Sequence, residues 1–328
     1  MKKKVNVGYN EVVFSKEWEK YRDKNYFEYR KAWEELPAKR VVSDFPLHLD
    51  IETTDLCNLK CPMCSRTIMD KDNNIKKSRF IKKEEYIKII DEGVKHGLKS
   101  IKLQYLGEPL TDPNIPFYVK YAKEKGIVDV SLNTNATLLT KKLSLELLES
   151  GIDKIFMSID AINPKLYEQQ RVGATLGKVI DNVYELVKLR NGKFPKTHIR
   201  ISMVMYDDEI WKKQFEGLKI MWENLVDAVG YGIFNDRKHK LEHKKVDGYV
   251  CEQLFQRMFL RCDGNVVVCC VDDKEEYIIG NWREESLHDL WHNEKYKYIR
   301  KKHINNEYDQ IMLCKKCYLP IIYKKENE

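Results

Sequence analysis

Three cysteines lie within eight residues of one another, and their spacing could support metal chemistry. Cys57, Cys61 and Cys64 are separated by three residues and then by two, so a tight loop would direct three thiolates towards one point. A cubane iron–sulfur cluster has four iron corners, and three ligands leave one corner open to a substrate or cosubstrate. The spacing therefore predicts an open metal centre. The alternatives are a half zinc knuckle completed from elsewhere in the chain, or buried cysteines placed by chance.

The cysteine loop, with Met63 directly before its last cysteine, resembles the signature of the radical S-adenosylmethionine (SAM) superfamily. In that family the amino and carboxylate groups of SAM chelate the open iron of a [4Fe–4S] cluster. Reduction then cleaves SAM to methionine and a 5′-deoxyadenosyl radical, which removes a hydrogen atom from the substrate. The resemblance implies this cluster on Cys57, Cys61 and Cys64, SAM as cosubstrate, and reduced flavodoxin or ferredoxin as the electron donor.

The composition indicates a globular protein of a reducing compartment. With 328 residues, 43% of them hydrophobic, the chain can form one large domain with an appendage. No apolar stretch follows Met1–Lys4, so we expect no signal peptide and a cytoplasmic location. The CxxxCxxC and CxxC spacings among the nine cysteines favour metal ligation over disulfides. We expect no membrane partner, since no apolar run is long enough to span a bilayer.

The net charge of +7 comes mostly from scattered lysines. The densest basic patch, Arg237–Lys245, has five basic residues but also Glu242, which is typical of a solvated linker. We therefore expect no nucleic-acid partner.

A strand–helix alternation begins at Pro46 and predicts parallel strands with helices packed outside them. Amphipathic helical stretches separate runs rich in β-branched and apolar residues. The predicted strands are 46–53, 100–105, 128–133, 154–160, 197–206 and 227–234. Six units leave an open barrel or a doubly wound sheet as alternatives. The family resemblance implies the first, an α/β fold with an open (β/α)6 partial TIM barrel and a small C-terminal SPASM/twitch domain.

The segment before the barrel, residues 1–45, is predicted to be a mostly helical extension. Ser15 could cap a helix that ends at Pro37. Its apolar residues recur at roughly helical spacing, which favours packing against the main domain. They are Trp18, Tyr21, Tyr29, Trp33 and Leu36.

Polar residues follow four successive predicted strands. The cysteine loop follows the first, Gly107–Pro109 follows the second, Asn133 closes the third, and Ser158 and Asp160 close the fourth. The carboxyl ends of parallel strands meet at one rim of the fold, which is where active sites form. The sequence therefore predicts that these groups converge there.

The family resemblance extends to the SAM-binding residues. Gly107, Glu108 and Pro109 resemble the family's Gly-Gly-Glu-Pro motif, which receives the SAM amino group, although Leu106 stands in place of the first glycine. The glycine permits close backbone approach, and the carboxylate can pair with an ammonium. The resemblance also implies cofactor-binding roles for polar residues of the third and fourth strands and for an arginine that pairs with the SAM carboxylate. These residues are Asn133, Ser158, Asp160 and Arg171.

A second set of cysteines lies in the C-terminal third. Cys251, Cys269, Cys314 and Cys317, with Gly264 between the first two, resemble the SPASM/twitch appendage of radical SAM enzymes. No cysteine follows Cys317, so the resemblance implies the shorter twitch form, in which these four thiolates close one auxiliary [4Fe–4S] cluster. A zinc ribbon is the alternative, because four cysteines that end in CxxC also suit zinc.

Cys262 and Cys270 remain outside both sets. Each is either a small buried residue or spare thiol near the cluster, or a donor of a hydrogen atom to a substrate radical, as an epimerase requires.

Together with the strand–helix pattern, the resemblance implies a SAM-binding barrel at 46–235 and an auxiliary-cluster domain at 236–328. The resemblance implies a radical SAM oxidoreductase that dehydrogenates or epimerises a small carbohydrate-like substrate, namely a sugar, cyclitol or nucleotide-sugar. A radical SAM maturase of ribosomal peptides is the alternative, but the 45-residue extension is short for a peptide-recognition domain. A zinc-binding non-enzymatic protein is a more remote alternative.

Overall fold

The computed structural model describes residues 9–71, 80–234 and 245–327. The basic patch up to Lys244 and the predicted domain boundary after residue 235 lie outside these ranges. The described strands are β1 Tyr9–Val13, β2 His48–Ile51, β3 Ser100–Lys102, β4 Asp129–Thr134, β5 Lys154–Ser158, β6 His198–Met205, β7 Ala228–Ile233, β8 Arg257–Leu260, β9 Asn265–Val267 and β10 Ile278–Asn281.

The six predicted strands of the barrel are confirmed as β2 to β7. They pair in parallel and in sequential order, with each strand next to the one that follows it in the chain. A doubly wound sheet would reverse its order at a switch point, so this sequential order identifies the open (β/α)6 partial TIM barrel.

The helices pack on the outside of the sheet and bury its aliphatic face in the main core. The described α-helices are α1 Lys24–Lys39, α2 Ser65–Lys71, α3 Lys83–Lys95, α4 Ile115–Glu124, α5 Lys141–Glu149, α6 Pro164–Gln170, α7 Leu176–Lys193, α8 Glu209–Trp222, α9 Gln253–Gln256, α10 Leu287–His292, α11 Glu294–Ile304, α12 Met312–Lys315 and α13 Leu319–Asn327. Among the residues that the structure describes, no helix is both long enough and apolar enough to cross a membrane.

The N-terminal extension differs from the predicted helix. It begins with β1, which pairs antiparallel with β7, and Ser15 accepts a hydrogen bond from the Glu17 amide at the start of a short 3-10 helix. Helix α1 starts only at Lys24, where Asp23 accepts a hydrogen bond from the Tyr26 amide, and Pro37 lies inside its last turn.

Aromatic residues of the extension close the amino-terminal end of the barrel. Trp18 and Trp33 are buried, and their rings contact His198 of β6 and His48 of β2. Tyr21, which was predicted to share this buried stripe, is instead 56% exposed. This cap leaves the carboxyl ends of the strands as the accessible end of the barrel.

The sheet continues past the barrel into the C-terminal part of the chain. Strand β8 pairs in parallel with β2, and β9 and β10 add two antiparallel strands, which gives a ten-stranded sheet. The C-terminal part is therefore attached to the barrel through main-chain hydrogen bonds at β2, the strand that leads into the cysteine loop.

Candidate active site

The first cysteine loop connects β2 to α2 at the carboxyl end of the barrel. Cys61 is buried, whereas Cys57, Met63 and Cys64 are half-buried. The Cys64 amide donates a hydrogen bond to the Cys61 carbonyl at 3.1 Å, which forms a turn between the last two cysteines. The backbone therefore holds the three cysteines in one compact loop.

Burial favours the protonated form of the Cys57 and Cys61 thiols. It raises the pKa of Cys57 above its ordinary value and raises that of Cys61 to about 11, although the nearby Arg171 guanidinium lowers the latter. A metal ligand must be a thiolate, so metal binding here would release protons.

Gly107 brings the loop after β3 against the chain that leads into the cysteines. A Cβ atom at this position would lie 2.1 Å from the Thr54 carbonyl oxygen and 2.8 Å from that of Leu56. The next residue, Glu108, donates its amide hydrogen to the same Leu56 carbonyl at 2.8 Å. The close backbone approach that was predicted for Gly107 is therefore present, but towards the cysteine loop itself.

The Glu108 carboxylate is buried and joins two loops of the rim. It accepts hydrogen bonds from the Thr134 hydroxyl at 2.6 Å, the Asn135 amide at 2.7 Å and the Leu110 amide at 3.1 Å. Burial raises its pKa to about 7, although these donors lower it. Pro109 is also buried and starts a one-turn 3-10 helix.

An amide network links the cysteine loop to the loop after β4. The Asn135 side-chain amide donates to Asn58 Oδ1 at 3.0 Å, and Asn58 donates to Thr137 Oγ1 at 2.8 Å. Asn58 lies inside the cysteine motif, and the sequence analysis gave it no role. The loops after β2, β3 and β4 are thus locked together.

The inner face of the barrel near the rim is polar. Asn133 pairs in register with Phe156, and Ser158 with Ser202, so these residues face the same side of the sheet. Asn133 Oδ1 is buried and has no hydrogen-bond partner among the described residues. Such an atom is costly unless a ligand or water satisfies it, so the barrel offers an acceptor at this point.

Arg171 is held by Asp160. Its Nε and Nη2 atoms donate to the Asp160 carboxylate at 2.5 and 3.1 Å, and the Val204 amide donates to the same carboxylate at 2.8 Å. Although burial lowers the Arg171 pKa, the Asp160 carboxylate raises it above its ordinary value. The two residues form a buried ion pair close to Cys61, and their contact with SAM stays a prediction.

Glu52, which the sequence analysis missed, joins the barrel rim to the C-terminal strands. It accepts hydrogen bonds from Arg261 Nε at 2.8 Å, from the Cys262 amide at 3.2 Å and from the Leu106 amide at 3.1 Å. Cys262 is buried here, and burial followed by the Glu52 charge raises its thiol pKa. Glu52 directly follows β2, the first strand of the barrel. The rule that polar residues at strand ends form the site, which found the cysteine loop, could therefore also have found Glu52.

The second cysteine set surrounds one apolar cavity. The four predicted ligands, Cys251, Cys269, Cys314 and Cys317, all line this cavity. His303 and aliphatic side chains complete its wall. Burial raises the pKa of Cys251, Cys269 and Cys314 above the ordinary thiol value. Cys270 lies beside them in the chain but is exposed.

His303 was not found from the sequence. Its Nε2 lies 3.4 Å from Cys314 Sγ, and its Nδ1 accepts the Cys251 amide hydrogen at 3.3 Å. Burial lowers its pKa to about 4, so the ring is neutral near pH 7. With Nδ1 as acceptor, Nε2 carries the hydrogen and points at the Cys314 sulfur.

Two family profiles match the parts of the chain that hold these sites. The radical SAM superfamily profile matches residues 51–213, and that of an iron–sulfur cluster-binding domain, SPASM, matches residues 251–318. The chain belongs to the radical SAM superfamily. The SPASM domain contains all four cysteines of the second set and is the C-terminal auxiliary cluster domain of this radical SAM protein.

Similar proteins share part of the chain or its fold. A GTP 3′,8-cyclase of Alkaliphilus oremlandii is 31% identical over 170 residues, which are 50% of this chain and 50% of that protein. The chain spans about half the length of most of the curated relatives that it matches. BtrN, solved with AdoMet and 2-DOIA, has a TM-score of 0.56 at 20% identity and covers 84% of this chain and 94% of its own. SuiB of Streptococcus suis, solved with S-adenosylmethionine, has a TM-score of 0.63 at 18% identity. The match covers 93% of this chain and 81% of the SuiB chain.

The radical SAM and SPASM domains imply one SAM-binding [4Fe–4S] cluster, SAM and an auxiliary iron–sulfur cluster. The match to an iron–sulfur cluster-binding domain favours a cluster over zinc at the second cysteine set, whose four thiols line one apolar cavity.

Proposed function

We propose that this radical SAM protein abstracts a hydrogen atom from a small polyhydroxylated molecule, namely a sugar, cyclitol or nucleotide-sugar, and oxidises or epimerises it. The observation that carries the proposal is the polar lining of the barrel near its open end, where Arg200 pairs in register with Phe156 and so faces the same side of the sheet as Asn133. Asn133, Ser158 and Ser202 share the inner face, and Asn133 Oδ1 has no partner among the described residues. Amide and hydroxyl groups in a concave site match substrate hydroxyls and reject analogues that lack them.

The protein's own residues position the reactants. When bound, SAM and its cluster supply the 5′-deoxyadenosyl radical. Cys57, Cys61 and Cys64 would hold that cluster, and the Gly107–Pro109 loop would receive the SAM amino group beside it. Trp18 and Trp33 close the opposite end of the barrel, which limits water entry from that side. Reduced flavodoxin or ferredoxin is the proposed electron donor.

We propose that three segments, with the bounds predicted from the sequence, have separate roles. Residues 46–235 would bind SAM and substrate, residues 236–328 would hold the auxiliary cluster, and residues 1–45 would form the extension. Tyr105 supports communication between the first two, because it follows β3 at the rim and donates a hydrogen bond to the Cys269 carbonyl at 3.0 Å.

A nucleotide is a second candidate substrate. It is favoured by the curated relatives, which are named GTP 3′,8-cyclases. A peptide has less support. SuiB has been solved with its precursor peptide SuiA, but at 16% identity this likeness concerns the fold. In the present chain, the described part of the extension caps the barrel and pairs with β7.

The test uses anaerobic, reduced and cluster-loaded protein with SAM. Small-molecule and peptide fractions of the source cell's extract are added separately, and 5′-deoxyadenosine is measured. We expect stimulation by the small-molecule fraction, with sugars, cyclitols and nucleotides then tested as pure classes. Stimulation by peptides alone would contradict the proposal and support peptide maturation.

A further inference from the structure

A carboxylate and two imidazoles meet where the barrel contacts the SPASM domain. Asp44 lies in the segment before β2, His96 follows the last residue of α3, and His288 lies in α10 of the SPASM domain. One ligand atom from each residue lies within 4.8 Å of the other two. Three distant segments of the chain thus bring metal-ligating groups to one point outside both cysteine sites.

The separations are those of ligands around a single ion. His96 Nδ1 lies 3.3 Å from Asp44 Oδ2, and His288 Nε2 lies 3.3 Å from Asp44 Oδ1. The two imidazole rings are stacked, with centroids 4.6 Å apart. Donors ~2.0–2.1 Å from a tetrahedral zinc ion are themselves ~3.3 Å apart. With 24% and 32% of the two histidine side chains exposed, water can reach the remaining coordination positions.

The backbone around the ligands is held in place. Trp291 Nε1 donates to the Ser43 carbonyl at 2.9 Å, which fixes the segment that carries Asp44 against α10. The His288 amide donates to Glu92 Oε1 at 3.0 Å, which fixes α10 against α3. The ligands therefore meet through contacts that do not depend on a metal, so the geometry is preorganised.

A third imidazole lies next to the cluster. His292 is four residues after His288 on α10, and their ring centroids are 4.8 Å apart. Histidines four residues apart on a helix share one face and commonly bind one zinc ion together. His292 Nε2 now lies 2.8 Å from the Asp44 carbonyl oxygen, so its ring borders the same point.

We infer that Asp44, His96 and His288 form a binding site for a divalent transition metal of the zinc class, which clips the barrel to the SPASM domain. Imidazole and carboxylate donors suit zinc, nickel or cobalt, whereas magnesium and calcium prefer a shell of oxygens. The site shares no residue with the proposed catalytic machinery, so the test of metal binding here does not depend on whether the proposed function is correct.

The test uses full-length protein with both iron–sulfur clusters loaded, so that the cysteines are occupied. Zn²⁺ is titrated calorimetrically under anaerobic conditions, and X-ray absorption at the zinc edge identifies the ligand atoms. We expect one zinc ion per chain, bound by nitrogen and oxygen only, and a higher unfolding temperature with zinc than without it.

Two matched variants separate ligation from general charge. Asp44→Asn removes a ligand, whereas Glu294→Gln removes an exposed carboxylate of the neighbouring helix α11 that pairs with Lys297 instead of a proposed ligand. Asp44→Asn should weaken zinc binding at least about tenfold, and Glu294→Gln should change it less than about threefold. His288→Ala provides a second ligand variant, and iron content checks that each variant folds. Equal zinc affinity in wild type and Asp44→Asn, absence of zinc uptake, or sulfur in the zinc shell would overturn the inference.

Discussion

The Tyr105 hydroxyl donates a hydrogen bond of 3.0 Å to the backbone carbonyl of Cys269, a proposed ligand of the auxiliary cluster. Tyr105 belongs to the loop after β3, two residues before Gly107 of the proposed SAM site. Burial raises its pKa well above the ordinary tyrosine value, so it remains a donor at neutral pH. One side chain therefore joins the two sites.

Tyr105→Phe should weaken this connection without changing the packing of the ring against Arg261 and Phe259. We expect a loss of about 1 kcal/mol in stability, the usual value of one buried hydrogen bond. Thermal unfolding of cluster-loaded protein measures it. The control is Tyr121→Phe, which removes a bond to exposed Asp91 and should cost less than about 0.5 kcal/mol. Equal effects of the two variants would show that the Tyr105 bond has no special role.

SAM affinity should depend on pH through Glu108. Burial raises the pKa of this carboxyl from 4.5 to about 7. The ionised form attracts the SAM ammonium, so affinity should increase as the pH rises through about 7. The effect of pH on folding stability through Glu108 has the opposite sign. Because the pKa is raised on folding, the stability of the SAM-free protein should fall as the pH rises from 4.5 to about 7 and should remain lower above that range.

Equilibrium binding of SAM to cluster-loaded protein between pH 6 and pH 8 measures this effect. Glu108→Gln keeps the side-chain shape but removes the charge. It should flatten the pH profile and weaken binding about ten- to a hundredfold, the range for a hydrogen bond to a charged group. Wild-type affinity that is constant across this range would argue against contact between Glu108 and SAM.

Gly107→Ala should displace the SAM-binding loop. The new Cβ would lie 2.1 Å from the Thr54 backbone oxygen, which cannot move without shifting the cysteine loop. A displacement of about 1 Å in an active site can cost on the order of a hundredfold in rate. The rate of 5′-deoxyadenosine formation measures the loss.

Gly177→Ala in α7 is the matched control for Gly107→Ala. A Cβ there meets no atom within 4 Å, so this variant should retain full activity. It should also gain about 0.4–1 kcal/mol of stability. Similar activity of the two alanine variants would contradict the close approach at Gly107.

Cys314→Ala should remove the auxiliary cluster and leave the SAM cluster intact. Two cubanes contain about eight irons per chain, so iron and sulfide should fall by about half. Uncoupled formation of 5′-deoxyadenosine should continue, whereas turnover of the proposed substrate should stop. An unchanged iron content would exclude Cys314 as a cluster ligand.

The sequence predicted the six barrel strands because each is a compact apolar run followed by a polar loop. The first cysteine loop was equally accessible, since its three cysteines lie within eight residues, whereas the second set is spread from Cys251 to Cys317 and was assigned through the family resemblance. Three features of the structure could not be predicted from the sequence. Strand β1 fits β7 because Gly230 leaves room for the Tyr9 ring, whose hydroxyl would lie 2.5 Å from a Cβ at that position. Such complementarity between distant segments leaves no local pattern.

The other two features also depend on distant contacts. The predicted N-terminal helix is interrupted where Arg22 turns towards the buried carboxylate of Asp153, so Tyr21 points to solvent. The Glu52–Arg261 ion pair joins residues that are 209 positions apart. Helical spacing and strand composition report local preferences, and neither can show which distant charge a residue will meet.

The most direct test of this account is whether the Cys57–Cys64 loop supports SAM cleavage. Wild type, Cys61→Ala and Cys270→Ala are loaded with clusters, reduced with dithionite and incubated anaerobically with SAM, and 5′-deoxyadenosine is measured. The account predicts formation by wild type and by Cys270→Ala, in which an exposed cysteine outside both ligand sets is removed. It predicts none by Cys61→Ala, which should also lose about half of the iron. SAM cleavage by Cys61→Ala at the wild-type rate would contradict the central claim.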